Sequence, residues 1–489
     1  MDLRKALNTY FGYDQFRPGQ EDVVRHIVDG KDTIAILPTG MGKSLCYQLP
    51  AYLKKGAVLI ISPLVALMED QVAIMKKNGE KRVVALNSFL SFSDKKQIME
   101  QLYRYKFIFI SPEMLAQPYV GKKLGELELC CITIDEAHCI SQWGFDFRPD
   151  YLRLGDFFSS LPKRPPVLAL TATANGRVTK DIARYLQLTQ PAIIRQSIDR
   201  PNILYSIVPL DSEIEKTDWL RIRLRESVGP GIIYVASRKR ADELSLELRN
   251  ANRAIASYHA GKEPEDRAFI QEQFINGELD WICATNAFGM GIHKEDIRQV
   301  IHEHLPQSIS GYVQEVGRAG RDGKDSAATL LYAEEDGQRI RFIIEEDLPH
   351  ASEVRLYAQL LSEGMAPEEA ANQAGLSETG KRVIDFYLEQ LSVDEVNARM
   401  DALRHEKILE LQKMIRLVHS EVCIREKLLS FFDENCEMKP KSCCSVCGRV
   451  DDGWIWDTVA NSTKKEWVGW EERLAGLLGS RSVDPENGS

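Results

Sequence analysis

No part of this 489-residue sequence approaches the ~18–20 consecutive apolar residues that a membrane-spanning helix requires. Basic residues are not in excess either, because 62 lysines and arginines stand against 72 aspartates and glutamates, a formal net charge of −10. A protein that coats nucleic acid or an anionic membrane through bulk charge carries the opposite balance. These absences argue against a membrane protein and a general polycation, and they leave room for a local basic cleft.

Short repeats and low-complexity tracts are also absent, and the first residues, MDLRKALNTYFGYDQF, lack the pattern of a signal peptide. Apolar residues make up 44% and charged residues 27%, as in ordinary globular proteins. The length predicts roughly two to four domains. We therefore expect a multidomain protein of the cytoplasm, where thiols stay reduced. Five of the ten cysteines nevertheless fall between Cys423 and Cys447.

Short apolar runs without alternation recur through the first 340 or so residues. Such runs predict parallel strands that are covered on both faces. They form two sets separated near 199–202, so we predict an α/β fold with one lobe at 1–198 and a second at 199–345. The predicted strands lie at 34–37, 57–61, 107–110, 132–134, 167–170, 231–235, 254–257, 282–284, 300–301 and 329–332.

The segment LPTGMGKS at 37–44 lies between a predicted strand and a helical pattern. A loop in this position presents backbone N–H groups to phosphate oxygens at a helix N-terminus. Lys43 would reach the β- and γ-phosphates of a nucleotide, and Ser44 would hold Mg²⁺. Leu37 replaces the first glycine of the usual GxxxxGK[ST] pattern, so the segment alone also fits a plain strand-turn-helix.

A second motif, ITIDEAH at 132–138, ends another predicted strand with two carboxylates and a histidine. A metal-bound nucleotide needs an acid at a strand end to hold Mg²⁺, and a neighbour that orients the attacking water. We assign Asp135 to the metal and Glu136 to the water, with His138 beside them. Combined with the phosphate loop, this motif predicts ATP- and Mg²⁺-dependent chemistry rather than an exposed acidic turn.

With these motifs in place, the sequence resembles the RecQ family of superfamily 2 DNA helicases over nearly all of 1–345. FGYDQFRPGQ at 11–20 is similar to the family's motif 0, whose glutamine reads the adenine edge, and ALTATA at 169–174 matches motif III. The segments GIIYVASR, YHAG, ATNAFGMGI and YVQEVGRAGRDG match motifs IV to VI in order. The resemblance implies two tandem RecA-like lobes and a helicase that translocates 3′→5′ on single-stranded DNA.

The resemblance and the motifs together assign the nucleotide site. Arginines of the second lobe would reach the γ-phosphate across a cleft, as an arginine finger supplied in cis, and Arg321 is the stronger candidate of the two. The expected catalytic residues are Lys43, Asp135, Glu136, His138, Gln314, Arg318 and Arg321. The expected nucleotide-binding residues are Phe16, Arg17, Gln20, Thr39, Gly40, Met41, Gly42, Lys43 and Ser44, and Ser44 and Asp135 would hold magnesium.

DNA contacts are implied by SPLVALMEDQ at 62–71, by ISPE at 110–113 and by the aromatic-rich loop within SQWGFDFRPDYLRLG at 141–155. Bases stack on aromatic faces with little sequence preference, which suits a translocating enzyme. The same aromatic residues would also suit a buried cluster. Two positions depart from the family, Phe145 where histidine is usual and His293 where aspartate is usual. The expected DNA-binding residues are Ser62, Pro63, Gln71, Trp143, Phe145, Phe147, Arg148, Ser237, Arg238 and His259.

Four cysteines, Cys423, Cys436, Cys444 and Cys447, have the spacing C-x12-C-x7-C-x2-C. Four thiolates in a tetrahedral array form a closed, structural Zn²⁺ site. A reducing compartment disfavours disulfides, which are the main alternative. The resemblance agrees, since RecQ helicases carry such a zinc subdomain, which we place at 398–450. Cys443 adjoins a predicted ligand, so the register can shift by one.

The sequences of the segments at 346–397 and 451–489 indicate structure and function less clearly than the motifs above. The first is helical in pattern, and PEEAANQAGLSETGKRVIDFYLEQL within it fits either a helix-turn-helix or a plain helical spacer. The second is a tail with four tryptophans. We expect a short family form without the winged-helix and helical nucleic-acid-binding domains of larger relatives. The sequence therefore does not identify which element separates the DNA strands.

The expected partner is DNA, either single-stranded or as a 3′-tailed or branched duplex in recombination and repair. Single-stranded-DNA-binding or recombination proteins are further expected partners, with a monomeric chain and no membrane. Two alternatives stay open: an RNA helicase, and an ATP-dependent remodeller of DNA structures that unwinds weakly. Sequence does not separate them, because the contact with a 2′-hydroxyl is invisible at this level.

Overall fold

The computed structural model describes residues 2–87, 90–141, 149–227, 229–249, 253–289 and 294–448. The expected DNA contacts Trp143, Phe145, Phe147 and Arg148 lie outside these ranges, as do His293 and the tail 451–489.

Two parallel sheets form the centres of two lobes, with strand orders β3-β4-β2-β5-β6-β1-β7 and β10-β11-β9-β12-β13-β8. The first sheet comprises β1 (Thr33–Ile36), β2 (Ala57–Ile61), β3 (Val83–Leu86), β4 (Phe107–Ile110), β5 (Leu129–Ile134), β6 (Val167–Thr171) and β7 (Ala192–Arg195). The second comprises β8 (Ile203–Pro209), β9 (Gly231–Tyr234), β10 (Ile255–Tyr258), β11 (Trp281–Ala284), β12 (Gln299–His302) and β13 (Ser326–Tyr332).

Helices cover both faces of each sheet, and a run of helices follows the second lobe. Those of the first lobe are α1 (Leu3–Phe11), α2 (Gln20–Val28), α3 (Leu45–Leu53), α4 (Val65–Lys77), α5 (Phe92–Glu100), α6 (Pro112–Leu115), α7 (Pro118–Gly125), α8 (Leu154–Ser160) and α9 (Gly176–Tyr185). Those of the second lobe are α10 (Glu213–Glu226), α11 (Arg238–Leu248), α12 (Pro264–Ile275), α13 (Ile309–Val316) and α14 (Glu334–Asp347). The remaining helices are α15 (Ala351–Ser362), α16 (Pro367–Ala374), α17 (Glu378–Leu388), α18 (Val393–Val418) and α19 (Ile424–Phe431).

The strands form where the sequence offers four or more apolar residues in succession, and their side chains are buried on both faces of the sheet. One face of the first sheet packs against α2, α3 and α4, and the other packs against α7, α8 and α9. Each run that the sequence predicted as a strand is a strand in the structure. The pattern missed β3, β7 and β8, which all lie at sheet edges.

The region after the second lobe is helical, as the sequence predicts. The helices α16 and α17 are joined by a three-residue turn, a connection that both predicted alternatives, a helix-turn-helix and a helical spacer, allow. With α15 and the first part of α18 they enclose an apolar core of their own, which includes Val354, Ile384 and Met400. The predicted boundary between 397 and 398 falls inside α18, which runs unbroken for 26 residues.

The last described helix, α19, and the cysteine loop after it pack on the second lobe. Leu428 and Phe432 share one apolar core with Ile203 and Tyr205 of β8. The loop also extends the sheet, because the N–H of Tyr205 donates to Cys443 O at 3.2 Å and the N–H of Ser445 donates to Tyr205 O at 2.9 Å. This region is therefore built onto the second lobe rather than standing apart from it.

None of the helices in the described ranges is both long and apolar enough to cross a membrane.

A buried ion pair joins α10 to α14 in the second lobe. Lys216 Nζ lies 2.6 Å from Asp336 Oδ2 and donates to Glu303 O at 2.9 Å. Asp336 also accepts from the N–H of Ala333 at 2.8 Å. Each charge thus has a counter-ion and a further hydrogen bond, which is the condition under which burial of a charge is tolerated.

Lys216→Ala should lower the unfolding free energy of the second lobe by about 3–5 kcal/mol, because it leaves the Asp336 carboxylate buried without its counter-ion. The measurement is denaturant-dependent hydrogen exchange of the β12 and β13 amides.

Arg339→Ala is the matched control. Arg339 pairs with Glu213 across the same two helices, but both side chains are about half exposed. The expected loss is therefore at most about 1 kcal/mol. Equal losses in the two variants would contradict the role given to Lys216.

Candidate active site between the lobes

The predicted nucleotide residues meet in a cavity between the lobes. From the first lobe, Lys43 follows β1 and Glu136 follows β5, at the carboxyl edge of the sheet where α/β proteins bind ligands. From the second lobe, Gln314 projects from α13, and Arg318 and Arg321 follow that helix. The cavity has a volume of about 320 Å³ and is lined by Arg17, Thr39, Gly40, Gly42, Lys43, Ser44, Tyr47, Leu67, Gln71, Asp135, Glu136, Gly289, Glu295, Gln314, Arg318 and Arg321.

The conformation of the phosphate loop is fixed by its glycines and by hydrogen bonds from neighbouring side chains. Gly40 and Gly42 have φ angles of +86° and +69°, which side chains rarely adopt, so the loop can turn tightly around an anion. Gln20 Nε2 donates to Met41 O at 2.8 Å and to Gly42 O at 3.0 Å, and the Arg17 guanidinium donates to Gly40 O. With the carbonyls engaged from outside, the loop's N–H groups are left for phosphate oxygens.

Lys43 fits a phosphate-binding role. Its ammonium is buried, has no hydrogen-bond partner among the described residues, and lies 3.8 Å from Glu136 Oε1. A buried donor without a partner is costly, and phosphate oxygens of a bound nucleotide would satisfy it. The side chains present therefore fit ATP with its magnesium ion.

Glu136 stands in a strained position beside Asp135. Its φ of +47° places a non-glycine residue in the left-handed region, which is typical of functional sites. Its Oε2 lies 3.4 Å from His138 Nδ1, and that ring nitrogen lies 3.0 Å from Thr171 Oγ1 of β6. This arrangement aims the Glu136 carboxylate at the cavity next to Lys43.

The two adjacent carboxyl groups differ in proton affinity. Burial, and then the negative charge of Glu136, raise the pKa of Asp135 to about 6, although Lys43 opposes the rise. Burial would also raise the pKa of Glu136, but Lys43, His138 and Arg318 outweigh it and hold that pKa below its usual value. Glu136 is thus the group of the pair with the lower pKa, and a cation beside Asp135 would lower the pKa of Asp135 in turn.

The lobes are closed around the cavity. Thr39 Oγ1 of the phosphate loop donates to Gly317 O of the second lobe at 3.0 Å. Arg200, between the lobes, donates to Gly317 O at 3.2 Å and to Ala319 O at 3.1 Å. The buried Arg318 guanidinium donates to Gly289 O. The turn that carries both arginines is therefore fixed against the first lobe.

A second cavity, of about 890 Å³, adjoins the first and shares Arg17, Gly42, Ser44 and Gln71 with it. This cavity is lined by Tyr10, Tyr13 and Gln15, none of which the sequence analysis selected. The two tyrosines in the N-terminal segment were the signal that could have indicated them. The predicted residue Phe16 instead packs on the apolar cluster of α1, α2 and α3. The size and position suit the base and sugar of the nucleotide.

Two further placements differ from the sequence expectation. Gln71, expected at the DNA, lies on α4 and lines both cavities. Glu295, which the sequence analysis did not select, brings a carboxylate from the second lobe to the same cavity. The place of Gln71 depends on how α4 packs in the first lobe, and that of Glu295 on how the lobes close. Local sequence encodes neither.

The described DNA-binding candidates lie at the carboxyl ends of strands in both lobes. Ser62 and Pro63 follow β2 and are buried, whereas Ser237 and Arg238 follow β9 and are exposed. His259 follows β10 and is buried, with Nε2 lying 3.0 Å from Asp242 Oδ2 and Nδ1 accepting from the N–H of Gly261. Arg238 is thus accessible at the end of β9, whereas His259 stabilises the turn after β10.

The cysteines form a compact thiol group. The structure brings Cys423, Cys444 and Cys447 together with Cys443, and not with Cys436 as predicted from spacing. The Sγ–Sγ distances are 3.6 Å for Cys423–Cys443, 3.8 Å for Cys423–Cys444, 3.3 Å for Cys444–Cys447 and 4.0 Å for Cys443–Cys447.

Zn–S bonds of ~2.3 Å in a tetrahedron place sulfurs about 3.8 Å apart, so these four thiols fit zinc. The difference at one ligand has a structural cause. The hydrogen bonds to Tyr205 fix the backbone around Cys443 and Cys444. Both side chains are fully buried, whereas Cys436 is partly exposed and its thiol contacts Met438 O at 3.8 Å.

One buried arginine connects the thiol group to the cavity. Arg425 is 1% exposed, pairs with Asp199, and donates to Arg200 O at 3.0 Å and Ile203 O at 2.5 Å. It also lies over the ring of Tyr205, whose N–H donates to Cys443 O. Because Arg200 in turn holds the turn of Arg318, the thiol group, the interlobe linker and the arginines form one contiguous set of contacts.

Comparison with known proteins agrees with this geometry. Residues 17–182 match the DEAD/DEAH box helicase family, and residues 214–323 match the helicase conserved C-terminal domain. The chain is 44% identical over 459 residues to the probable ATP-dependent DNA helicase RecS of Bacillus subtilis, spanning 91% of this chain and 92% of that protein. It is 35% identical over 444 residues to the ATP-dependent DNA helicase RecQ of Pasteurella multocida, spanning 90% of this chain and 61% of that protein.

Solved structures are similar in fold at low sequence identity. The DEAD-box helicase Mss116 bound to single-stranded RNA matches with a TM-score of 0.59 and 16% identity, over 84% of this chain and 90% of that one. The Mycobacterium smegmatis helicase Lhr bound to single-stranded DNA matches with a TM-score of 0.55 and 19% identity, over 85% and 57%. These likenesses confirm the predicted fold class, two tandem RecA-like lobes. The identity to RecS over nearly the full length of both chains shows the family: the chain belongs to the RecQ family of ATP-dependent DNA helicases.

Proposed function

We propose that this protein hydrolyses ATP between its lobes to translocate 3′→5′ on single-stranded DNA and to separate 3′-tailed or branched duplexes during recombination and repair. The observation that supports it most is the shared cavity. Lys43 and Glu136 of one lobe face Gln314, Arg318 and Arg321 of the other across a closed interface. A site completed only by closure links each turnover to a movement of the lobes.

The roles follow from position. Lys43 and the phosphate-loop amides bind the β- and γ-phosphates, Ser44 and Asp135 hold magnesium, and Glu136 orients and deprotonates the attacking water. Arg321 and Arg318 stabilise charge that develops on the γ-phosphoryl group, an effect typically worth 10³–10⁵ in rate. His138, bridging Glu136 and Thr171, keeps the carboxylate aimed at the cavity. Magnesium, when bound, neutralises phosphate charge in the transition state.

DNA would cross the carboxyl edges of both sheets. Arg238 and the N-terminus of α11, which Ser237 caps, offer a cation and free N–H groups to the backbone. Because the net charge is −10, the affinity for DNA depends on such local contacts and on base stacking rather than on bulk charge. We also propose a monomeric protein of the cytoplasm, with single-stranded-DNA-binding or recombination proteins as partners.

We propose zinc as a structural ion held by Cys423, Cys443, Cys444 and Cys447. Four buried or half-buried thiols with the spacing of a tetrahedron support this set. Binding of the ion would hold the cysteine loop against β8 and Arg425 against the linker. Its free energy of binding then contributes to folding.

Lys43→Ala should reduce ATP turnover about 100-fold or more, because the variant loses the cation at the transferred phosphates. Steady-state phosphate release with saturating single-stranded DNA is the measurement. Lys55→Ala is the matched control, since Lys55 is exposed at the amino end of β2, the opposite edge of the same sheet. Normal turnover in Lys43→Ala would remove the site assignment.

Cys443→Ser should lose bound zinc, whereas Cys436→Ser should keep one zinc per chain. Metal content by mass spectrometry, together with the thermal unfolding midpoint, distinguishes them. The reverse result would return the fourth ligand to Cys436. Full zinc content in both variants would mean that another group completes the site.

The function itself is tested by strand separation on 3′-tailed, 5′-tailed and blunt DNA duplexes, beside ATPase stimulation by single-stranded DNA and RNA. We expect release from the 3′-tailed duplex and stimulation by DNA. Stronger stimulation by RNA would favour an RNA helicase. ATP turnover without strand release would indicate a remodeller.

A further inference from the structure

The helices α16 and α17 carry few cations for contacts with DNA. The only basic side chains of α16 and α17 are Lys381 and Arg382, and both are paired. Lys381 Nζ lies 3.0 Å from Asp385, and Arg382 lies 2.9 Å from Glu378. A recognition helix presents cations to phosphates, which α17 does not. We name α15, α16, α17 and α18 as far as Leu403 the helical bracket, for the contacts described next.

The helical bracket is docked on the first lobe. Arg153, in the short 3-10 helix Pro149–Arg153, lies 2.5 Å from Glu389 and 5.2 Å from the ring of Phe386. Leu152 belongs to the apolar surroundings of both the first lobe and the bracket. A second ion pair joins Arg382 to Glu113 at 3.4 Å.

The bracket is also fixed to the second lobe. The bracket's last helix, α18, continues past Leu403 along α14, where Lys407 lies 2.5 Å from Asp347 at the end of α14. Arg404 donates to Leu348 O at 3.1 Å and to Pro349 O at 3.0 Å. The bracket therefore spans from the second lobe to the 3-10 helix of the first.

The same 3-10 helix supports the nucleotide site. Tyr151 is fully buried, and its hydroxyl donates to Asp135 O at 3.1 Å. Tyr151 is thus adjacent to the two residues that the bracket holds, Leu152 and Arg153. A continuous series of contacts leads from Glu389 through Arg153 and Tyr151 to the backbone of Asp135.

From this series we propose that the helical bracket positions Asp135 for magnesium, with Glu389, Arg153 and Tyr151 as positioning residues for ATP hydrolysis. The inference rests on the proposed role of Asp135. The bracket is anchored on one lobe and supports a residue of the other. Support of Asp135 and closure of the lobes, marked by the contact of Thr39 with Gly317, therefore belong to the same conformation.

The test is the Mg²⁺ affinity of the nucleotide-bound protein, measured by calorimetric titration, beside the Mg²⁺ dependence of DNA-stimulated ATP turnover. Glu389→Arg places like charges against each other and should raise the half-saturating Mg²⁺ concentration about 5-fold or more. Tyr151→Phe, which removes only the hydrogen bond to Asp135, should shift it in the same direction. Combining Glu389→Arg with Arg153→Glu should recover at least half of the lost Mg²⁺ affinity. A purely structural role would lower the amount of folded protein without moving this concentration.

Glu213→Arg is the matched control, because Glu213 is an exposed partner of Arg339 on the second lobe, far along the chain from the bracket. If the Glu389→Arg variant does not fold, Glu389→Gln replaces it in the test.

The variant Asp135→Asn separates the proposed active site from the proposed role of the bracket. Normal turnover in Asp135→Asn would overturn the proposed site. An inactive Asp135→Asn with unchanged Mg²⁺ dependence in Glu389→Arg and Tyr151→Phe would overturn the bracket's role alone.

Discussion

The buried guanidinium of Arg425 is the contact on which the arrangement of the lobes depends. It pairs with Asp199, donates to backbone carbonyls of the linker and lies over the ring of Tyr205, 5.0 Å from its centroid. A buried cation is tolerated only when each of its interactions is in place. Through Arg200, the same linker holds the turn that carries Arg318 and Arg321. The thiol group, which is bridged to Tyr205 through Cys443, therefore lies against the same linker.

Closure of the lobes makes the chemistry possible. Neither lobe alone offers both the cations that bind phosphate and those that stabilise the transferred group. The strained backbone of Glu136 and the opposed pKa shifts of Asp135 and Glu136 are carried by a first lobe whose strands β1, β2, β4 and β6 are fully buried. Strain of this kind persists because the surrounding structure determines it. The carboxylate pair is thus held within the first lobe, whereas the arginines reach the cavity only across the interface between the lobes.

Much of the fold and of the nucleotide site could be predicted, because the motifs are local. The phosphate loop and the acidic motif each follow an apolar strand, and the carboxyl ends of parallel strands meet at one edge of a sheet. Prediction was incomplete where position depends on distant contacts. The edge strand β8 is buried over its first three residues and half-exposed over the next three, so its apolar pattern is weak. The places of Gln71 and Phe16 depend on how α4 and α1 pack.

The sequence by itself determined two α/β lobes, the phosphate loop, the carboxylate pair, the arginines between glycines and a group of cysteines, because each is written in consecutive residues. Only the tertiary structure decided that Cys443 joins the thiol group rather than Cys436. The tertiary structure alone also showed that α17 contacts the first lobe and that the Tyr151 hydroxyl donates to Asp135 O. Those outcomes depend on a backbone bridge to Tyr205 and on pairs such as Arg153 with Glu389, which lie 236 residues apart in the chain. Such long-range contacts have no signature in a local pattern.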